Sequence, residues 1–368
     1  MNDSSDFFDY LDWRGDISFD SSPFNAVDAL LLCQIAYLDL ASATPKCENS
    51  AILLKDAARL HQELRLQRAG LMISAKTADL FFRAAKTERF GNVMMSEAVD
   101  KYDEKTEEQF SAITFTFQKE NELVVFRGTD DTIIGWKEDF NLAFIDEIPA
   151  QKDALLYLEE EASLPYIKKV FVAGHSKGGN LALYAAAHLT KYRDKIAGIY
   201  NFDGPGFAKE MLLSPQFKAI EKLTHSFYPE LSIIGQLFSH FENYTVVKSS
   251  SQFLAQHDPF SWGIKARGFD EVGELETGSK YFHKTFNEWF IALGKEKREQ
   301  FVNALFSPFS NIEYKNLSSL SSDWLHSSAA IIKAINEMDS DLKAQTKEII
   351  FSLFSVARGN IGVLISQK

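Results

Sequence analysis

Cysteine is scarce in this chain: two occur in 368 residues, Cys33 and Cys47. They stand in a stretch that reads as helix followed by loop, without metal-site spacing. A chain of this length does not need a disulfide scaffold, so both are expected as free thiols. Positive charge is also in short supply. Lys and Arg total 39 against 51 Asp and Glu, which leaves a formal net charge of −12. That balance argues against a nucleic-acid partner, which needs a basic face to displace counterions. It also disfavours standing attachment to anionic lipid. No apolar run approaches the roughly eighteen residues of a membrane span, so no transmembrane segment is expected. The N-terminal Met1-Asn2-Asp3-Ser4-Ser5-Asp6 lacks the basic and apolar regions of a secretion signal, so the cytoplasm is the expected location. Neither GxGxxG nor GxxxxGK followed by Ser or Thr suits a nucleotide site. The acidic pairs Asp130-Asp131 and Glu138-Asp139 have no accompanying histidine, so neither a metal nor a cofactor is expected.

What is abundant is phenylalanine, 31 residues of it, against 5 Trp and 12 Tyr. Most of these rings must fill cores. Apolar residues at helical spacing from Asn25 to Leu40 predict a helix, and residues 53–88 continue the helical pattern. The pattern changes at Gln109, where alternating apolar and polar residues predict a strand, followed by a turn and the short buried strand Leu123–Phe126. From there strands and helices alternate: helix 152–161, strand 170–173, helix 180–189, strand 196–202, helix 207–222, then strands 223–228 and 244–248. This order predicts an α/β fold with a mostly parallel sheet and helices on its faces. The expected organisation is a helical N-terminal layer (1–105), the sheet-bearing core (106–277) and a helical C-terminal region (278–368). In the last, Phe282, Phe286, Trp289 and Phe290, continued by Phe301, Leu305 and Phe306, form an apolar stripe that packs on the core or covers a cleft.

The segment VFVAGHSKGGNLALYAAAHL is the most informative in the chain. An apolar strand runs straight into Gly174-His175-Ser176-Lys177-Gly178, and an apolar helix follows without a break. A serine on so sharp a turn has its hydroxyl lifted above the sheet, with a helix N-terminus behind it to favour developing negative charge. Acyl transfer also requires donors aimed at the tetrahedral oxyanion. The backbone N–H of Lys177 is expected to supply one. Thr129, just after the strand ending Phe126-Arg127-Gly128, is placed in chain order to supply the other.

These motifs resemble those of the class 3 lipases: FRGT, then Trp136 and Asp139 spaced Trp-x-x-Asp, then GHSKGG some forty residues on. Asp203-Gly204-Pro205-Gly206 fills the place of that family's small-residue and proline turn. The chain as a whole resembles the bacterial Mbeg1-like branch of hydrolase-like proteins, through FNAVDALLLCQIAYLDL near the start, SIIGQLF at 232–238 and QHDPFSW at 256–262. The resemblance spans about residues 20–265. It implies an α/β-hydrolase fold and lipase-like hydrolysis of acyl esters.

A serine nucleophile needs a base, and the usual order in this fold is Ser, acid, His. Of the histidines after Ser176, His257 follows the last convincing strand and sits in the loop where the base is expected; the resemblance points to the same residue. The acid is less sharply defined. The class 3 lipases carry Asp-x-x-Pro where this chain has Tyr228-Pro229-Glu230-Leu231-Ser232, so Ser232 stands in the place of the Asp. Glu230 is the favoured acid, with Asp203 and Asp258 as alternatives. The expected function is a serine hydrolase forming an acyl-enzyme on Ser176, with a small-molecule or lipid acyl ester as substrate. A hydrolase-fold binding or regulatory protein that has lost turnover, or an acyltransferase, would carry the same motifs.

Overall fold

The computed structural model describes residues 5–44, 51–60, 76–118, 120–129, 138, 141, 147–292, 294–306, 340, 343 and 344. The chain opens with α1 (Phe7–Arg14), α2 (Ala26–Ile35), the single turn α3 (Leu40–Ala43), β1 (Ile52–Leu53), α4 (Leu54–Leu60), α5 (Thr77–Ala84) and the turn α6 (Glu88–Gly91). Then come β2 (Met94–Asp103), β3 (Glu108–Phe117), β4 (Asn121–Phe126), α7 (Pro149–Ser163), β5 (Lys169–His175), α8 (Lys177–His188) and β6 (Ile196–Phe202). The remainder comprises α9 (Lys209–Leu212), α10 (Pro215–Ile220), β7 (Thr224–Pro229), β8 (Thr245–Val247), β9 (Ile264–Lys265), β10 (Gly268–Phe269), β11 (Glu271–Val272), α11 (Thr277–Ala292) and α12 (Lys295–Phe306).

Nine strands form one sheet in the order β1-β2-β3-β4-β5-β6-β7-β8-β11. The five strands from β4 to β8 run parallel, as the α/β alternation predicts. The margins are antiparallel: β1, β2 and β3 continue outward from β4, and β11 closes the far side against β8. Side-chain alternation sends successive residues to opposite cores. Leu123 and Val125 of β4, Ala173 of β5, and Tyr200 and Phe202 of β6 pack under the N-terminal helices. Val124 and Phe126, Val170 and Val172, and Ile196 and Ile199 pack under α7, α8 and α10. Burial on both faces explains why these strands read as continuous apolar runs. The architecture is that of an α/β hydrolase.

The helical reading of the first hundred residues holds only in part. α2 is buried on all sides, as its all-round apolar sequence requires. It starts at a capping box in which Asn25 accepts from Asp28 N, and Asp28 in turn caps Asn25 N. Residues 94–103, however, form β2, which pairs with β3 along an exposed, mostly polar strand. With little apolar alternation to mark it, β2 left no strand signal in the sequence. Cys33 is a buried free thiol, and Cys47 lies outside the described residues.

At the other end, α11 is bound closely to the core. Phe282 and Phe286 are buried, and Phe286 meets the Phe238 ring edge-on. Ser279 Oγ, His283 Nδ1 and Asn287 Nδ2 donate to the carbonyls of Ser232, Gln236 and Phe238. The described half of the aromatic stripe therefore grips the 232–238 turn. The side chains of Trp289, Phe290, Phe301, Leu305 and Phe306 lie outside the described residues, as does nearly all of 307–368. No helix among the described residues is long and apolar enough to cross a membrane.

Candidate active site

Ser176 sits between β5 and α8 with φ 58° and ψ −133°, a left-handed-side conformation that L residues rarely adopt. A strained turn of this kind persists only where its surroundings over-determine it. Ser176 N donates to Phe202 O at 2.9 Å, which ties the turn to the end of β6. Gly178 lies flat on β4, and a Cβ there would stand 2.0 Å from Phe126 O. Only glycine permits that approach. Ser176 itself is half-buried, in contrast to the fully buried residues on either side of it.

The FRGT segment lies directly against this elbow. Gly128 is so close that a Cβ on it would meet His175 O at 2.6 Å and Ser176 Cβ at 3.0 Å. Thr129, next along, is buried beside it with 6% exposure. Of the two expected oxyanion donors, Lys177 follows Ser176 directly, and Thr129 follows the glycine that packs against it. Trp136 and Asp139 lie outside the described residues, as do Asp130 and Asp131.

His257 ends a short 3₁₀ turn, Phe253–His257, and is 5% exposed. Its loop is held by its own sequence. Gln256 Oε1 accepts from Leu231 N at 2.7 Å, Trp262 Nε1 donates to Gln256 O at 2.8 Å, and Asp258 caps Phe260 N at 3.0 Å. His257 Nδ1 donates to Asp203 Oδ2 at 2.6 Å. That bond places the proton on Nδ1 and leaves Nε2 of the neutral ring as an acceptor. Among the described residues no hydrogen bond joins the Ser176 hydroxyl to His257. Such contacts are often open in unliganded sites and close with substrate.

His175 lies between the two. Its ring is 4.5 Å from that of His257, centroid to centroid, and its Nε2 donates to His257 O at 2.9 Å. Its Nδ1 then accepts from Tyr37 Oη at 3.2 Å. Burial, and after it the nearby His257, hold the His175 pKa well below the usual histidine value. His175 is thus a neutral strut between the elbow and the loop that carries His257.

The expectation that Glu230 pairs with His257 is corrected by this geometry. Glu230 Oε2 accepts from Ser249 N at 3.2 Å, and its backbone bridges Val247 and Glu276. Asp258 faces its own turn, and burial raises its pKa. The carboxylate that meets the imidazole is Asp203, 1% exposed, at the tip of β6 with φ 50°. Its second oxygen accepts from the hydroxyl of Ser232, which is fully buried. Position 232 therefore still faces the site, but as a hydroxyl that braces the acid. The Asp-Gly-Pro-Gly turn carried a usable signal, because the C-terminal ends of parallel strands are where α/β sites gather.

The placement of the Lys177 side chain has no signal in the sequence. It turns under the elbow and is fully buried against Glu138, Nζ to Oε2 at 2.9 Å. Among the described residues, no cluster of three or more metal-ligating side chains forms.

No curated protein matches the chain. Among solved structures, M37 lipase is similar at 16% identity and a TM-score of 0.35, over 56% of this chain and 68% of that one. A variant of MDLA from Penicillium cyclopium is similar at 12% identity and a TM-score of 0.37, over 66% of this chain and 83% of that one. The model of the Mbeg1-like family matches residues 84–307, more than half of the sequence, a span that includes Ser176, Asp203 and His257, and the chain belongs to that family.

Proposed function

We propose that this chain is a serine hydrolase that cleaves acyl esters through an acyl-enzyme on Ser176, with His257 as base and Asp203 as acid. The observation that carries the reading is the Asp203–His257 bond, made beside a serine held at positive φ on a strand–helix elbow. In the first step Ser176 Oγ attacks the ester carbonyl while His257 Nε2 takes its proton. The carbonyl π electrons move onto oxygen, which the N–H groups of Lys177 and Thr129 face. Collapse of the tetrahedral species breaks the acyl C–O bond, and His257 returns its proton to the departing alkoxide. Water then attacks the acyl-serine by the same steps, with His257 again as base, releasing the carboxylic acid and restoring Ser176. Asp203 fixes the imidazole tautomer and stabilises the transient imidazolium without taking a proton itself.

A binding protein without turnover is the alternative suggested by a serine, rather than an acid, at position 232. An acid on the imidazole from position 203 supports the enzymatic reading instead. A panel of p-nitrophenyl esters of graded acyl length tests it. The parent chain should hydrolyse at least one, and Ser176→Ala should lower that rate by something like 10⁶-fold. A full panel without turnover, or an Ala variant with more than a few per cent of the parent rate, would overturn it.

A further inference from the structure

Lys177 and Glu138 are both fully buried, with 0% side-chain exposure. Lys177 Nζ donates to Gln109 O at 2.7 Å, Gln109 Oε1 at 2.9 Å and Glu138 Oε2 at 2.9 Å. All three ammonium protons are thereby used, so this amine does not serve Ser176 as a base. Glu138 is equally committed. Oε2 also accepts from Gln109 N at 3.0 Å, and Oε1 accepts from Ala150 N at 3.1 Å. Taking an ammonium and a carboxylate out of water costs several kcal/mol each, and apolar residues of similar volume often pack as well or better. Stability alone therefore gives little reason for an ion pair here. What apolar packing lacks is direction.

The direction is set by one end of β3. Gln109 takes two of the Lys177 protons and gives its N–H to Glu138. Two residues on, Ser111 O accepts from Arg127 N at 2.9 Å, immediately before Gly128-Thr129. The same short stretch of β3 thus holds Lys177 through its side chain and the approach to Thr129 through the backbone. These residues carry the two N–H groups assigned to the oxyanion. We infer that the Lys177–Glu138 pair, seated on Gln109, is a positioning device that sets the Lys177 N–H against the Thr129 N–H in the oxyanion hole. The inference rests on the serine-hydrolase reading. Neither charged group touches substrate. Both act through the peptide plane that follows Ser176, where small displacements weaken a bond that matters most in the transition state.

The test uses the full chain with Lys177→Met, Glu138→Gln and the double Lys177→Met/Glu138→Leu, each of which keeps the backbone N–H at 177. The readouts are Tm and the rate constant for fluorophosphonate labelling of Ser176 per folded molecule, which needs no known substrate. Each single variant should label about tenfold or more slowly, short of the ~10²–10³ typical when a donor is removed outright. The double should remain about tenfold slow even as its Tm recovers towards that of the parent. A parent-like rate per folded molecule in either single variant, or recovery of the rate in the double, would overturn the inference. If Lys177→Met does not fold, Glu138→Gln decides by its rate alone, since it preserves the side-chain shape. A parent chain that does not label at all defeats the hydrolase reading and the inference with it; a parent that labels beside variants that label equally fast defeats only the inference.

Discussion

Replacing Asp203 by Asn exchanges one carboxylate oxygen for an NH₂ group and puts the proposed acid to a severe test. The carboxylate now accepts from His257 Nδ1 at 2.6 Å and from the Ser232 hydroxyl on its other oxygen. An amide can keep its oxygen on Nδ1 only by turning its NH₂ towards Ser232, which must then become an acceptor. The opposite rotamer donates to Nδ1 and drives the ring proton to Nε2, where it blocks acceptance from Ser176. Either way the negative charge that stabilises the imidazolium is gone, from a site only 1% exposed. In the serine-protease triad this change costs about 10⁴ in kcat, or about 5.5 kcal/mol at ~1.36 kcal/mol per decade. A loss of about 10³–10⁴ is expected here, in ester turnover or in labelling rate, with a fold unchanged by circular dichroism. Glu230→Gln is the matched control. It disturbs one bond to Ser249 N, worth on the order of 1 kcal/mol of stability, and should change the rate less than about threefold. An Asp203→Asn variant within a few-fold of the parent, or a Glu230→Gln variant as impaired as Asp203→Asn, would refute the assignment.

Thr129 contributes its backbone N–H, so Thr129→Ala should be mild and Thr129→Pro should cost about 10²–10³ in turnover; equal, near-normal rates for both would remove it from the site. Burial and the neighbouring Glu161 push the Glu122 carboxyl up to about 9, and burial pushes Glu161 up to about 7. The native state then holds protons that the unfolded chain has released, so the stability contribution of the pair is full in acid and is lost as pH rises through neutrality to about 9. Urea titrations at pH 6 and pH 8.5 should show Glu122→Gln losing less stability than the parent between the two, by on the order of 2–3 kcal/mol; parallel losses would contradict this. Arg89 and Asp28 form a fully buried pair, with Arg89 Nε to Asp28 Oδ1 at 2.7 Å and Tyr10 Oη on the same oxygen at 2.8 Å. Arg89→Met should therefore destabilise the chain by about 3–5 kcal/mol in the same titration, and a change below 1 kcal/mol would show that the pair is readily replaced.

The elbow and the parallel centre of the sheet were legible because local rules govern them. Gly178 is fixed by its contact with β4, and Val170 to Ala173 read as a strand because both faces are buried. His257 was legible from chain order and from the motif that surrounds it, in which Gln256, Asp258 and Trp262 each hold the loop. Chain position alone does not single out Asp203. Proximity along the chain to the position of the Asp in class 3 lipases favoured Glu230, whereas strand-end geometry, which chain position does not convey, selects Asp203. β2 escaped because its outer face is polar and exposed, so it has no apolar alternation. The inward turn of Lys177 had no signal at all, because its partners Gln109 and Glu138 are far away in sequence.

The most direct measurement on the central claim is mass spectrometry of the intact chain after reaction with a fluorophosphonate, comparing the parent with Ser176→Ala. The account predicts one adduct per parent molecule, found on the peptide containing Ser176, and none on the Ala variant. A folded parent that remains unmodified, or an adduct that persists in Ser176→Ala, would contradict it.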